Sequence, residues 1–542
     1  MHGLMQDWPL LCHKIIDHAA LYHGDREVIS RSTEGVIHKT KYAELRRRSL
    51  RLAKCLGRAG IRPGDRVATL AWNTWRHMEA WYGIMGAGAV CHTVNPRLFH
   101  DQIVWIINDA GDRLLLTDLT FVPLLEKLAD RLPTIERYVV LTDAEHMPAT
   151  SLPNAMPYEE WLDEVDDDFA WVSVEENDAA GMCYTSGTTG HPKGVVYSHR
   201  SNVIHALMVN TADMFGVRAS DIVMPVVPMF HANCWGLAHC SPMAGAALVL
   251  PGPKLDGPSL YTLINDYKVT LAAAVPTLWL GLLQYLEDNA LTLPVLERVV
   301  IGGAACPRRV IETFQDKYGV EVQHAWGMTE TSPLGTICFF KSDPALMDRE
   351  TRLKQQEKQG HPAFGFEMKI TDDDGLTLPR DGKTFGRLKV KGPAVASAYY
   401  HSDGASVLDG EGYFDTGDIA TIDADGYMQI TDRSKDIIKS GGEWISSIEL
   451  ENLAVGHPKV AEAAVIGLRS DKWGERPLLI VVLRPGQSAT GEELLGFLAD
   501  KVAKWWLPDE VAFVSELPHT AAGKILKTAL RERFKDSASV RG

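Results

Sequence analysis

The densest chemistry in the chain lies in the run Tyr184-Thr185-Ser186-Gly187-Thr188-Thr189-Gly190-His191-Pro192-Lys193-Gly194. Three glycines, four aliphatic hydroxyls and one lysine fall within eleven residues. Bare N–H groups and hydroxyls of that kind wrap phosphate oxygens, and a lysine among them supplies the positive charge. The run is not a Walker A loop, because Gly194 rather than Ser or Thr follows Lys193 and Pro192 removes a backbone donor. Further on, His231 follows an apolar, strand-like run, with Cys234, His239 and Cys240 nearby in a spacing that matches no common zinc pattern. Trp235 comes four residues after His231, which would put both on one face of a helical turn. The Thr329-Glu330 pair reads by itself as a helix start, and Asp418 after Thr416-Gly417 reads as a turn former.

These residues need a scaffold, and the hydropathy pattern supplies one. Between 26 and 143, short β-branched runs (66–71, 89–94, 113–117, 138–141) alternate with helical stretches (42–59, 77–86, 102–110, 121–132). A second set follows from 178 to about 300, with strand candidates at 222–227, 246–250 and 271–275. Such alternation implies βαβ units and mostly parallel sheets, whose ligands bind in the loops leaving the strands. After Val320 the texture becomes glycine-bearing and β-rich (386–390, 427–431), which suggests a small barrel-like sheet. The charged stretch 432–436 then precedes a last block with its own βα pattern (460–466, 478–483, 492–506, 511–514). The expected fold is α/β: a large N-terminal domain (1–431) of doubly wound sheets with a β-barrel-like subdomain, a linker (432–436), and a smaller α+β domain (437–542).

Composition narrows the function classes. The 542 residues include 55 Lys+Arg against 70 Asp+Glu, a formal charge of −15. The basic residues are dispersed among acids, which argues against a nucleic-acid partner. The longest apolar stretches fall short of the ~20 residues a spanning helix needs. The start shows no basic region followed by an apolar core and cleavage site, so the cytoplasm is the expected compartment. Eight cysteines without a CxxC pair read as buried thiols.

The phosphate-type loop and seven further motifs stand in one order: Pro228-Met229-Phe230-His231, Gly302-Gly303-Ala304, His324-Ala325-Trp326-Gly327-Met328-Thr329-Glu330, Tyr413-Phe414-Asp415-Thr416-Gly417-Asp418, Asp432-Arg433-Ser434-Lys435-Asp436, Lys439-Ser440-Gly441-Gly442-Glu443, and Gly523-Lys524. Over nearly its whole length the chain resembles the adenylate-forming (AMP-binding) superfamily, in its acyl-CoA synthetase branch. It looks closest to bacterial fatty-acyl-CoA and 3-methylmercaptopropionate ligases. The resemblance implies ATP, Mg²⁺ and coenzyme A, and a carboxylic acid activated as its acyl-adenylate before transfer to the thiol. It implies that Thr185, Ser186, Gly187, Thr188, Thr189, Gly190 and Lys193 hold the β- and γ-phosphates, with Thr185 and Glu330 at Mg²⁺. Trp326 would stack on adenine or bound its slot, lined by Gly303, Ala304, Ala325, Gly327 and Thr329. Asp418, reinforced by Arg433, would take the ribose hydroxyls, and Lys435 and Lys439 would contact phosphate. Lys524 would bridge carboxylate and α-phosphate in the first half-reaction. Rotation about Asp432 would then bring Lys439, Ser440, Gly441, Gly442 and Glu443 to the site, with Trp444 beside the nucleotide or the pantetheine tunnel. His231, Trp235, Gly303, Gly327 and Pro333 would contact the acid, Trp235 as an aromatic gate or as a buried core residue. The resemblance also implies a homodimer. A ligase that loads a carrier protein, and a non-catalytic nucleotide-binding protein, share many of these features and remain as alternatives.

Overall fold

Alternating strands and helices build two parallel-rich sheets in the computed structural model, which describes residues 1, 3–185, 191–402, 406–440, 443–470, 472–519 and 525–535. Seven strands form the first sheet, from Met156–Pro157 at one edge to Gly194–Ser198 at the other. All pairs are parallel except the last, where Ala179–Tyr184 and Gly194–Ser198 run antiparallel. A nine-stranded sheet carries Glu321–Gly327, Arg298–Ile301, Leu271–Ala274, Ile222–Pro225, Ala247–Leu250 and Glu27–Arg31 in parallel order, with antiparallel strands at both edges. This is the expected α/β architecture. The β-rich region after it is a four-stranded antiparallel sheet, Glu367–Thr371, Gly386–Lys391, Phe414–Ile422 and Met428–Arg433 in spatial order. The strands that follow, from Ile438–Ser440 to Glu510–Phe513, make a separate five-stranded sheet.

The helices Tyr42–Arg58 and Trp75–Gly86 show why the large core holds. They approach so closely that a Cβ on Gly83 would sit 2.8 Å from Leu52 Cδ2. The 77–86 stretch reads as amphipathic, yet every residue of Trp75–Gly86 is buried. Its charges are therefore paired internally: Arg76 with Glu34 and Glu159 at 2.7 and 2.6 Å, and Glu79 with Arg48 at 2.7 Å. Buried charges persist only in such company.

Two long helices of the sequence reading are broken. Residues 121–132 divide into a short helix, Val122–Glu126, flanked by 3₁₀ turns, and 492–506 ends as a helix at Ala499. Apolar spacing survives such breaks because the flanking 3₁₀ turns keep Phe121, Leu128 and Leu132 buried.

Candidate active site

The loops leaving four parallel strands of the large sheet converge on one side: 228–231 after Ile222–Pro225, Pro276 after Leu271–Ala274, Gly302-Gly303 after Arg298–Ile301, and 328–330 after Glu321–Gly327. They line a cavity of about 700 Å³. The phosphate-type loop reaches it from the other sheet as a hairpin, since Tyr184 pairs with Gly194. Its base is tied twice: Thr185 N donates to Lys193 O at 3.0 Å, and Lys193 N donates to Thr185 Oγ1 at 3.1 Å. A hairpin with a lysine at its base, rather than a strand-to-helix turn, explains why the Walker spacing is missing.

Beside that base sits one group the motifs do not name, Tyr399. The Lys193 ammonium lies 4.7 Å from the centre of the Tyr399 ring, and Tyr399 Oη donates to Glu330 Oε1 at 2.7 Å. Tyr399 thus holds Glu330, a buried carboxylate, beside the cation of the loop. A tyrosine in the irregular segment 392–400 carries no signal of this in sequence; only tertiary packing reveals it.

One side of the cavity is built by an unusual turn. Ala232, Asn233, Cys234 and Trp235 have φ of +40°, +54°, +54° and +53°, a left-handed turn of four non-glycine residues. The expectation that His231 and Trp235 share a face of an ordinary helical turn is therefore corrected. Left-handed backbone costs ~1–2 kcal/mol per residue, and the turn is held by Asn233 Nδ2 donating to Asn202 Oδ1 (3.2 Å) and Cys234 Sγ to Val227 O (3.3 Å). It lays the Trp235 indole against two glycines. A Cβ on Gly302 would lie 3.2 Å, and one on Gly303 3.7 Å, from that ring. Gly327 is equally constrained, because a Cβ there would meet Pro333 O at 2.1 Å.

The small antiparallel sheet supplies the opposite wall. Asp418 and Arg433 are cross-strand neighbours, and Arg433 Nε pairs with Asp418 Oδ1 at 2.7 Å. Trp326, from the end of Glu321–Gly327, donates its indole N–H to Asp418 Oδ2 at 2.9 Å. Asp432 is fully buried rather than part of a solvated charge run. Its Oδ2 accepts from Ser447 N (2.7 Å) and Ser447 Oγ (2.6 Å), which ties the end of Met428–Arg433 to the helix Ser447–Val455.

The terminal region closes over the cavity. Its lining includes Glu451, His519, Ile525 and Lys527, and an antiparallel bridge joins His519 to Ile525 on either side of 520–524. Lys527 Nζ reaches Glu451 Oε1 at 2.8 Å and also donates to Ser447 Oγ. Burial opposes the Lys527 charge, but Glu451 and Asp432 more than offset this and hold its pKa above the ordinary lysine value. Burial likewise pushes the Glu451 carboxyl up to about 6 against the pull of Lys527. Neither residue stands out in the sequence.

Of the residues singled out by sequence, the cavity brings together Thr185, Lys193, His231, Trp235, Gly303, Ala304, Ala325, Trp326, Gly327, Thr329, Glu330, Pro333, Asp418, Arg433 and Lys435. Lys439, Ser440 and Trp444 are not among its lining; they lie on the hairpin of Ile438–Ser440 and Glu443–Ile445, with Lys439 Nζ 5.8 Å from the Trp444 ring centre. Ser186, Gly187, Thr188, Thr189, Gly190, Gly441, Gly442 and Lys524 lie outside the described residues, as does the Glu443 side chain.

Comparison with known families places this geometry. The model for AMP-binding enzymes matches residues 16–400, and that for the AMP-binding enzyme C-terminal domain matches 449–524. The chain belongs to the AMP-binding enzyme family. It is 51% identical over 537 residues, 99% of each chain, to a 3-methylmercaptopropionyl-CoA ligase of Ruegeria lacuscaerulensis. It is 47% identical over 536 residues, 99% of this chain and 98% of the other, to a medium-chain-fatty-acid–CoA ligase of Ectopseudomonas oleovorans. Among solved structures, an anthranilate CoA ligase in complex with anthranoyl-AMP superposes with a TM-score of 0.86 at 25% identity, covering 99% of this chain and all of the other. This AMP-binding enzyme is an acid–thiol ligase that uses ATP, Mg²⁺ and coenzyme A. The donor chemistry suits Mg²⁺: the Glu330 carboxylate and the Thr185 hydroxyl line the same cavity, hard oxygens of the kind that metal takes beside substrate phosphates and water. No helix among the described residues is long and apolar enough to cross a membrane.

Proposed function

We propose that this AMP-binding enzyme activates an aliphatic monocarboxylate with an uncharged tail, 3-methylmercaptopropionate or a short- to long-chain fatty acid, as its coenzyme A thioester. The observation that carries the choice is the acyl side of the cavity. Trp235 lies against Gly302 and Gly303, and the uncharged Pro276, Leu280, Pro333 and Leu334 line the same cavity. An apolar tail suits such surfaces, whereas a second carboxylate or an ammonium loses its hydration against them. The two ligases named above at 51% and 47% identity are named for acids of this kind.

The residues divide the work by chemistry. A carboxylate repels a thiolate and has no leaving group, so its oxygen first attacks the α-phosphorus of ATP and pyrophosphate departs. The thiolate of coenzyme A then displaces AMP from the acyl-adenylate. Lys193 and the hydroxyls of its loop hold the β- and γ-phosphates, Asp418 and Arg433 the ribose, and Thr185 and Glu330 the Mg²⁺, which neutralises phosphate charge. Lys524 stands between the two anions of the first step, where a desolvated cation lowers the barrier most. Rotation about 432–436 of the domain 437–542 brings Lys439, Ser440, Gly441 and Gly442 to the site for the second step, the glycines leaving room for the pantetheine arm. A homodimer in the cytoplasm completes this reading.

The test is a panel of C2–C16 acids plus 3-methylmercaptopropionate, scored by AMP release with and without coenzyme A. One or a few uncharged-tail acids giving coenzyme A-dependent turnover is the expected result. Release that needs a carrier protein instead of coenzyme A would overturn the proposal.

A further inference from the structure

The Trp326 indole offers more than a surface beside the nucleotide. Asp418 is 2% exposed, and both of its oxygens are already engaged from the protein side: Oδ2 by Trp326 Nε1 at 2.9 Å and Oδ1 by Arg433 Nε at 2.7 Å. The indole cannot swing away. A Cβ on Gly335 would lie 2.7 Å from its Cζ3, and Phe366 packs against it edge-on with centroids 6.4 Å apart. An indole N–H only donates, so this contact has one polarity, and it is charge-assisted. A carboxylate offers about four acceptor positions. Two are used by the wall, and the remaining two are the number that a pair of neighbouring hydroxyls requires.

We infer that Trp326 is a positioning residue: its N–H, opposed by Arg433, fixes the plane of the Asp418 carboxylate so that its two remaining acceptor positions meet both ribose hydroxyls of ATP, making Trp326 a determinant of ribonucleotide selection. The inference rests on Asp418 as the ribose-binding group. It differs from the stacking role expected of Trp326, which needs the ring but not the N–H.

The two roles separate experimentally. Trp326→Phe keeps an aromatic face and removes the donor. Replacement of Trp326 by benzothienylalanine, which carries sulfur in place of N–H at nearly the same volume, does so without opening a gap. Each is assayed by pyrophosphate exchange with ATP, 2′-deoxyATP and 3′-deoxyATP. The expected result is a KM for ATP raised about tenfold, the scale of a charge-assisted hydrogen bond, with KM for the acid unchanged and the preference for ATP over both deoxynucleotides reduced by a similar factor. Added to Asp418→Ala, Trp326→Phe is expected to have no further effect on that preference. Wild-type KM and wild-type preference in the benzothienylalanine enzyme would overturn the inference while leaving the ribose assignment standing, provided Asp418→Ala loses the preference. An Asp418→Ala enzyme that keeps the preference would overturn both.

Discussion

Lys527→Met tests the buried connection between the terminal helix and the chain around Asp432. Lys527 is a cation shared by two largely buried carboxylates: Glu451 at 2.8 Å directly, and Asp432 through the Ser447 hydroxyl, which donates to Asp432 at 2.6 Å. The Lys527 and Glu451 side chains are 10% and 13% exposed, so solvent screens little of the interaction. Methionine fills most of the lysine stem but leaves both carboxylates without their cation. Breaking one side of a buried pair costs ~3–5 kcal/mol. At ~2 kcal/mol per M, that lowers the urea midpoint of the terminal region by about 2 M. Because the helix Lys527–Phe534 begins three positions after Lys524, adenylation is expected to fall more than thioester formation from supplied acyl-adenylate. Adding Glu451→Gln to Lys527→Met removes one stranded carboxylate and is expected to restore more than half of the lost stability. A midpoint within about 0.2 M of the wild type, or a double variant no better than the single one, would refute the reasoning.

Three further outcomes follow from the site and its surroundings. Glu330→Gln keeps an acceptor for the Tyr399 hydroxyl but removes the charge; a loss of about a hundredfold in adenylation, with a raised Mg²⁺ requirement, is expected in Mg²⁺ titrations, and unaltered Mg²⁺ dependence would contradict the metal assignment. Lys524→Ala is expected to abolish acyl-adenylate formation yet leave thioester formation from supplied acyl-adenylate largely intact, whereas equal loss of both would contradict the division of labour. Asp118 concerns pH: burial pushes its carboxyl up to about 7, against a hydrogen bond from Trp72 N at 2.5 Å. Since the folded value lies above the unfolded one, the stabilisation is complete below pH ~4 and is lost as pH rises through about 7, by up to ~4 kcal/mol at ~1.4 kcal/mol per unit. Asp118→Asn is therefore expected to flatten the dependence of the urea midpoint between pH 4 and 8, and an unchanged slope would exclude Asp118 as its source.

Much of the site was legible because its signals are local. The composition of 184–194 alone points to phosphate chemistry, and Thr185 and Lys193 at its base line the cavity. The strands 66–71, 89–94, 271–275 and 386–390 appear within a residue or two of where the hydropathy pattern places them, as Arg66–Leu70, Val90–Thr93, Leu271–Ala274 and Gly386–Lys391. The misreadings occur where local spacing is overridden. His231 and Trp235 have helical spacing, but contacts to Asn202 and Val227 hold the intervening residues in the left-handed region.

The sequence by itself determined the architecture, the order of the motifs and the anionic character of the ligands, because strand and helix periodicity and the chemistry of a glycine–hydroxyl–lysine loop are properties of neighbouring residues. The tertiary structure alone decided which groups act on one another. Trp326 meets Asp418 across 92 positions, Tyr399 meets Glu330 across 69, and Lys527 meets Ser447 across 80. Such pairs are set by the register of strands and the docking of the terminal region, and no spacing along the chain encodes them.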